Sequence, residues 1–309
     1  MAKYILKRLL AMIPVLLAVT FLMFFLSSMS AGDPARVMAE KIYGHPTPDE
    51  VELVRHREGL DKPFPIQYLN WLKNVVHGDF GESYSTGRPA AEELFRHFPE
   101  TLKLALTSLV LLFLVAVPLG IWSAVKEGTA ADKVIQFFCF LSVSMPGFWI
   151  GLMLLYLFGV KLRLISVLGG VSYSGIPLVA AFTFDIGYFG ILIRLIRTNL
   201  GSVLKKDYIR ALRAKGISPG RIIMKHGMKN SFMPVLTRSI GMIINMLCGS
   251  AVIESIFSIN GIGKIALEAV VSKDTPVLQC FILVLSAVVV VVNLLVDILY
   301  SVVDRRIQL

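Results

Sequence analysis

The sequence predicts an all-α integral membrane protein with six transmembrane helices, and three observations carry that prediction. Apolar residues make up 55% of the 309-residue chain, and its mean hydropathy is +0.71. Charged residues reach only 17%, where a soluble domain carries about 25%. The apolar residues also gather in six runs, at residues 9–29, 102–124, 134–158, 176–193, 234–253 and 277–303. A helix needs roughly 20 such residues to cross a bilayer.

The first run follows Lys3, Lys7 and Arg8. It is about twice as long as the apolar part of a secretory leader, and Ser30, Ala31 and Gly32 offer no Ala-x-Ala-like cleavage site before Asp33 and Pro34. Residues 1–30 therefore read as a short tail and a retained first span. Residues 31–100 read as an extracytoplasmic cap segment of short helices. Thr47 caps one of them, with Asp49 and Glu50 in its first turn. Residues 65–76 suit another, presenting Tyr68, Leu69, Leu72 and Val75 at helical spacing. Residues 101–303 hold five further spans. Pro118 kinks the second span, and Pro146 with Gly147 interrupts the third. Residues 304–309 form a cytoplasmic tail.

The net charge of +10 sets orientation and is not a nucleic-acid signature. If the spans alternate, Lys3, Lys7, Arg8, Lys126, Lys133, Arg305 and Arg306 all fall on one side. So do the ten Lys and Arg of residues 194–230, where Asp207 is the one acid. Residues 31–100, on the other side, hold eight Lys or Arg against twelve Asp or Glu. Lys161, Arg163, Lys264 and Lys273 also fall there but are too few to reverse the bias. Basic loops stay in the cytoplasm, so both termini are expected there.

The basic segment between the fourth and fifth runs has internal order. Ala211, Ala214 and Ile217 recur at helical spacing, and Gly216 with Ser218-Pro219-Gly220 breaks the helix before a second begins. A short helix held off the membrane by such a turn suits docking to a cytoplasmic partner. A solvated loop that only satisfies topology stands beside that reading.

Catalytic signatures are missing. The chain has no Gly-x4-Gly-Lys-Ser/Thr phosphate loop, no His-Glu-x-x-His and no Gly-x-Ser-x-Gly elbow. His45, His56, His77 and His97 are scattered along the outer segment and read as solvated loop histidines, so no metal site is assigned. Cys139, Cys248 and Cys280 lie within spans and read as packing residues. Polar groups inside spans face a bundle interior or a wet cavity, because lipid exposure costs several kcal/mol. Asp185, Asn245 and Glu254 are therefore candidates for a translocation path, with a structural hydrogen bond equally open for Asp185. Asn293 and Asp297, four residues apart, suit tying helices together.

Across nearly its whole length the chain resembles the first membrane permease subunit of peptide/nickel-class ABC importers. The resemblance rests on Gly32-Asp33-Pro34, Gly59-Leu60-Asp61-Lys62-Pro63, Gly78-Asp79-Phe80-Gly81 and Thr86-Gly87-Arg88-Pro89. It continues through Asp207-Tyr208, Ala214-Lys215-Gly216, His226, Asn230, Glu254-x-Ile256-Phe257 and Gly261-Ile262-Gly263 to Asn293-Leu294-x-x-Asp297. It implies a type I, MetI-like importer fold, with the cytoplasmic coupling loop at residues 198–230. Coupling would fall on Arg210, Ala211, Leu212, Arg213, Ala214, Lys215, Gly216, Arg221, His226 and Asn230. Only the alanine at 211 and the glycine at 216 match the general loop form of ABC permeases.

The same resemblance implies a sister permease as heterodimer partner, two ABC ATPase subunits that bind ATP and magnesium, and an external solute-binding protein. This chain would bind no cofactor of its own, in a bacterial or archaeal inner membrane. A stand-alone channel would need a pore-lining charge ring or filter, and a membrane enzyme would need a catalytic constellation. Neither is found in the sequence. For the solute, Ser144-Met145-Pro146-x-Phe148-Trp149 and a short outer loop at 161–175 lean toward nickel or a nickel chelate, with di- or oligopeptides as the alternative.

Overall fold

A computed structural model describes residues 2–29, 33–164, 176–248 and 250–303. The expectations at Ser30, Ala31 and Gly32, at the outer loop beyond Leu164, and at Arg305 and Arg306 lie outside those residues. The side chains of Lys3, Lys7, Arg8 and Asp297 lie outside them too.

Helices follow one another along the chain: α1 (Ala2–Met29), α2 (Pro34–Tyr43), α3 (Pro48–Arg57), α4 (Phe64–Val76), α5 (Ala90–Val125), α6 (Ala130–Ser144) and α7 (Gly147–Leu155), which widens into a π-helical stretch, Tyr156–Lys161. Then come α8 (Ile176–Leu204), α9 (Asp207–Ala214) and α10 (Pro219–Arg221), continued by π-helical Ile222–Met228. The series closes with α11 (Lys229–Cys248), α12 (Ala251–Ile256), α13 (Ile262–Val271) and α14 (Thr275–Val303).

Among the described residues, four helices are long and apolar enough to span a membrane, at Leu10–Met29, Ala90–Val125, Leu178–Leu204 and Thr275–Leu295. Counting each of two bent pairs as one span brings the number to six: Ala130–Ser144 with Gly147–Lys161, and Pro219–Ser231 with Met233–Cys248. The third expected span is thus a helix pair turned through 98°. Its cause is local. Pro146 drives the residue before it out of the helical region, and Met145 sits at φ −95°, ψ 136°. The fourth span differs in length, since α8 runs past Ile193 and carries Arg194 and Arg197 within the helix.

Two compact units make up the chain. In Met1–Pro99 with Asn260–Leu309, the capping sequence at Thr47 closes as expected. Glu50 donates its backbone N–H to the Thr47 hydroxyl, and the Glu50 carboxylate accepts the Thr47 backbone N–H. Asp33 caps α2 and accepts from Arg55 at 2.6 Å, joining α2 to α3 over a core of Ala35, Ala39 and Val54.

Helix α4 lies against α1 through rings. Phe21 meets Tyr68 edge-on at 5.4 Å, and the hydroxyls of Thr20 and Tyr68 are 3.1 Å apart. Leu69, expected among the presented apolar residues, is 61% exposed. A turn closed by Ser83 and Arg88 is clasped to the start of α14. Asp274 accepts from the Ser83 hydroxyl at 2.5 Å and from the Ser85 N–H at 3.0 Å.

In Glu100–Ile259, α8 is the central helix, with α6, α7 and α11 packed on it. At Gly190 the backbone of α6 comes so near that a Cβ would strike the Cys139 carbonyl. Small residues permit such close approach where lipid gives helices no hydrophobic reason to associate.

Candidate coupling element and membrane path

The ends of the basic segment are set by backbone chemistry. Asp207 stands in the first turn of α9 and Arg213 in the last, each complementing the helix dipole. Gly216 adopts φ +75°, a conformation glycine reaches without a Cβ clash. Its N–H bonds the Arg213 carbonyl at 2.9 Å, and the Ile217 N–H bonds the Leu212 carbonyl at 3.3 Å. That pair of bonds is the Schellman stop. Ser218 is extended before Pro219, which opens the next helix.

Only a few residues root this element. Ile209 and Ile222 are buried, and Gly227 lies so close to Leu200 of α8 that a Cβ would overlap it. Asn230 donates to the Tyr208 hydroxyl at 3.2 Å and to the His226 carbonyl at 2.9 Å, closing the base. Arg210, Ala211, Arg213, Ala214, Lys215, Gly216 and Arg221 are all exposed, while Leu212 and His226 are half-buried. Arg210 pairs with Asp207 at 3.3 Å. Among the described residues, no carboxylate lies within ion-pair distance of Arg213, Lys215 or Arg221.

Beneath this element lies a polar network that the sequence did not disclose. Asp132, buried at the start of α6, accepts both Arg197 Nε and Nη2 at 2.7 Å. It also accepts the Ser123 hydroxyl at 2.5 Å and the Gly128 N–H at 2.9 Å. Lys205 reaches Glu127 at 2.7 Å. The far end of α8, the start of α6 and the turn between α5 and α6 are thereby tied together, the last tie two residues before α9 begins.

The path candidates separate. Asp185 is fully buried and accepts from Ser108 of α5 at 2.5 Å. Glu254 is fully buried and accepts from Thr101 at 2.7 Å. Both sit in helix-tying positions. Asn245 is exposed on α11, and so is Arg238 seven residues earlier. Sequence reasoning passed over Arg238, although a lone arginine inside the apolar run 234–253 is the kind of residue that marks a path. Asn293 on α14 is exposed as well.

Residues 116–309 match the family described as binding-protein-dependent transport system inner membrane component. Residues 1–105 match the N-terminal segment of the same transport-system membrane components. The chain belongs to this family. It is a permease subunit of the peptide/nickel class of ABC importers, a multi-pass inner-membrane component and not an enzyme.

The likeness runs end to end. An oligopeptide transport system permease protein, AppB of Bacillus subtilis (strain 168), is 35% identical over 319 residues, covering 100% of both chains. A glutathione transport system permease protein, GsiC of Salmonella typhi, is 34% identical over 310 residues, covering 100% of this chain and 99% of that one. A solved structure of the MetNI methionine ABC transporter aligns with TM-score 0.56 at 19% identity, over 68% of this chain and 96% of that one. At that identity it shows the fold alone. Importers of this family work with ATPase subunits and a binding protein.

Proposed function

We propose that this chain forms half of the membrane path of an importer for short peptides, paired with a sister permease and driven by two ATPase subunits. The observation that carries the reading is full-length likeness to permeases named for oligopeptide and for glutathione. This favours the peptide alternative over the nickel lean taken from residues 144–149 and the loop at 161–175, most of which lies outside the described residues.

In this reading the exposed residues of α9 and the turn at Gly216 are the handle that an ATPase grips from the cytoplasm. Unpaired Arg213, Lys215 and Arg221 would meet acidic residues there. ATP-driven closure of the two ATPases would move the handle, and the bonds at Asp132 and Glu127 would carry that movement into α6 and α8. Both termini lie in the cytoplasm, as the basic residues imply.

The test is uptake into proteoliposomes that hold the full complex with its binding protein. Labelled di- and tripeptides should enter with ATP inside the vesicles' nucleotide-accessible side. Uptake of nickel ions without any peptide uptake would sink the reading.

A further inference from the structure

The membrane helices expose two kinds of face. Helix α1 turns outward Leu10, Ile13, Phe21, Leu22, Phe25 and Leu26, and α6 turns outward Val134, Phe137, Phe138, Phe140 and Leu141. Those are faces that lipid accepts. Helix α11 differs. Its buried stripe is apolar apart from two serines (Ser231, Val235, Ser239, Met242, Met246, Leu247), and it packs on α8. Past Lys229 and Asn230 its exposed positions, among the described side chains, are Pro234, Thr237, Arg238, Gly241, Asn245 and Cys248. Among the described residues, no large apolar side chain is exposed between residues 225 and 251. Hydrocarbon disfavours a stripe of Thr237, Arg238 and Asn245, so that stripe meets water or a polar partner.

Arg238 is the one charge on that face. Among the described residues no carboxylate lies within ion-pair distance of it. The Thr237 hydroxyl is already spent on the Met233 carbonyl at 2.9 Å. Gly241, one turn further along the same face, has nothing within 4 Å of where a Cβ would stand. Open space therefore lies over Gly241, one turn along the helix from Arg238, with Asn245 on the next turn. A planar guanidinium pairs with a carboxylate through two parallel hydrogen bonds. Nearly every short peptide carries a carboxylate at its C-terminus.

We propose that Arg238 grips the C-terminal carboxylate of the transported peptide in the membrane path, in the notch left by Gly241 and beside Asn245. The proposal rests on the peptide-import reading above. A snorkelling arginine that reaches lipid headgroups would sit among exposed apolar neighbours, and none of the described large apolar side chains of α11 is exposed.

The test compares trialanine with trialanine amide in proteoliposomes of the complete importer at saturating binding protein. Each rate is normalised to that of the unsubstituted complex, so the binding protein's own preference cancels. Arg238→Gln should lower uptake of the free acid by about tenfold or more, as expected for losing a charge-assisted contact, and change the amide less than about twofold. Arg238→Lys should fall between, because it keeps the charge without the fork. Equal losses for both peptides, no loss for either, or failure of Arg238→Gln to assemble with its partners would each overturn the proposal and make the face a packing surface. If the unsubstituted complex carries neither peptide, the peptide-import reading itself has failed, and this inference falls with it.

Discussion

Asp132 accepts both forked donors of Arg197 at 2.7 Å, with its own side chain 3% exposed and that of Arg197 26% exposed. The pair bridges the start of α6 and the later part of α8, ahead of α9. Two charges so placed are mutually dependent, because removing one leaves the other without a partner in a poorly solvated site.

Asp132→Ala should therefore destabilise the subunit by about 3 kcal/mol. The readout is a lower melting temperature of the purified complex and a lower yield of assembled transporter. Arg197→Lys should lose only part of that stability, since it keeps the charge although an ammonium cannot bridge both carboxylate oxygens. An unchanged melting temperature for Asp132→Ala would remove the pair from any structural role.

Gly216 holds φ +75° with open space around it, so a side chain there meets strain and no collision. Gly216→Ala should cost about 1–2 kcal/mol of local stability and weaken coupling, read as less ATP hydrolysis stimulated by the binding protein. Gly216→Asn should stay near the unsubstituted rate, because asparagine tolerates the left-handed region. Equal behaviour of the two variants would contradict this account.

Lys215 and Arg213 are exposed and have no carboxylate of the described chain in reach. Charge reversal at both should weaken copurification of the ATPase subunits, and the defect should depend on ionic strength, as screened contacts do. Reversal at Lys103, already paired with Glu100 at 2.6 Å, is the control and should leave assembly intact.

The Tyr84 hydroxyl in the cap segment before α5 is pushed up to about 12 by burial and by the nearby Asp274 and Glu58 carboxylates. In the unfolded chain it titrates near 10. A raised folded value means that the neutral phenol stabilises the cap below pH 10 and that this contribution is lost as pH climbs toward 12. Spectroscopic titration should show a late-ionising tyrosine component, and that component should shrink by one tyrosine in Tyr84→Phe. A profile identical in both proteins would refute the assignment.

Much of this was legible in the chain. Thr47 and Glu50 spell a helix start through local hydrogen bonding, and Gly216 before Ser218-Pro219 spells a stop. Such signals depend on neighbours a few residues apart. The 98° turn at Met145 was only half legible, since Pro146 marks a break without giving its angle. The pairings of Asp132 with Arg197 and of Glu254 with Thr101 were not legible, because each joins residues distant in sequence that become neighbours only when helices pack. Asp185 shows the same limit from the other side: a lone acid in a span signals need for a partner, and only packing reveals Ser108. Arg238 was legible and overlooked, hidden among basic residues whose purpose is orientation.

The clasp between Ser83 and Asp274 joins positions 191 residues apart. During synthesis the turn at Ser83 therefore stays unlatched until Asp274 has been made. A chain that stops short of Asp274 would leave the Ser83 hydroxyl and the Ser85 N–H without that acceptor.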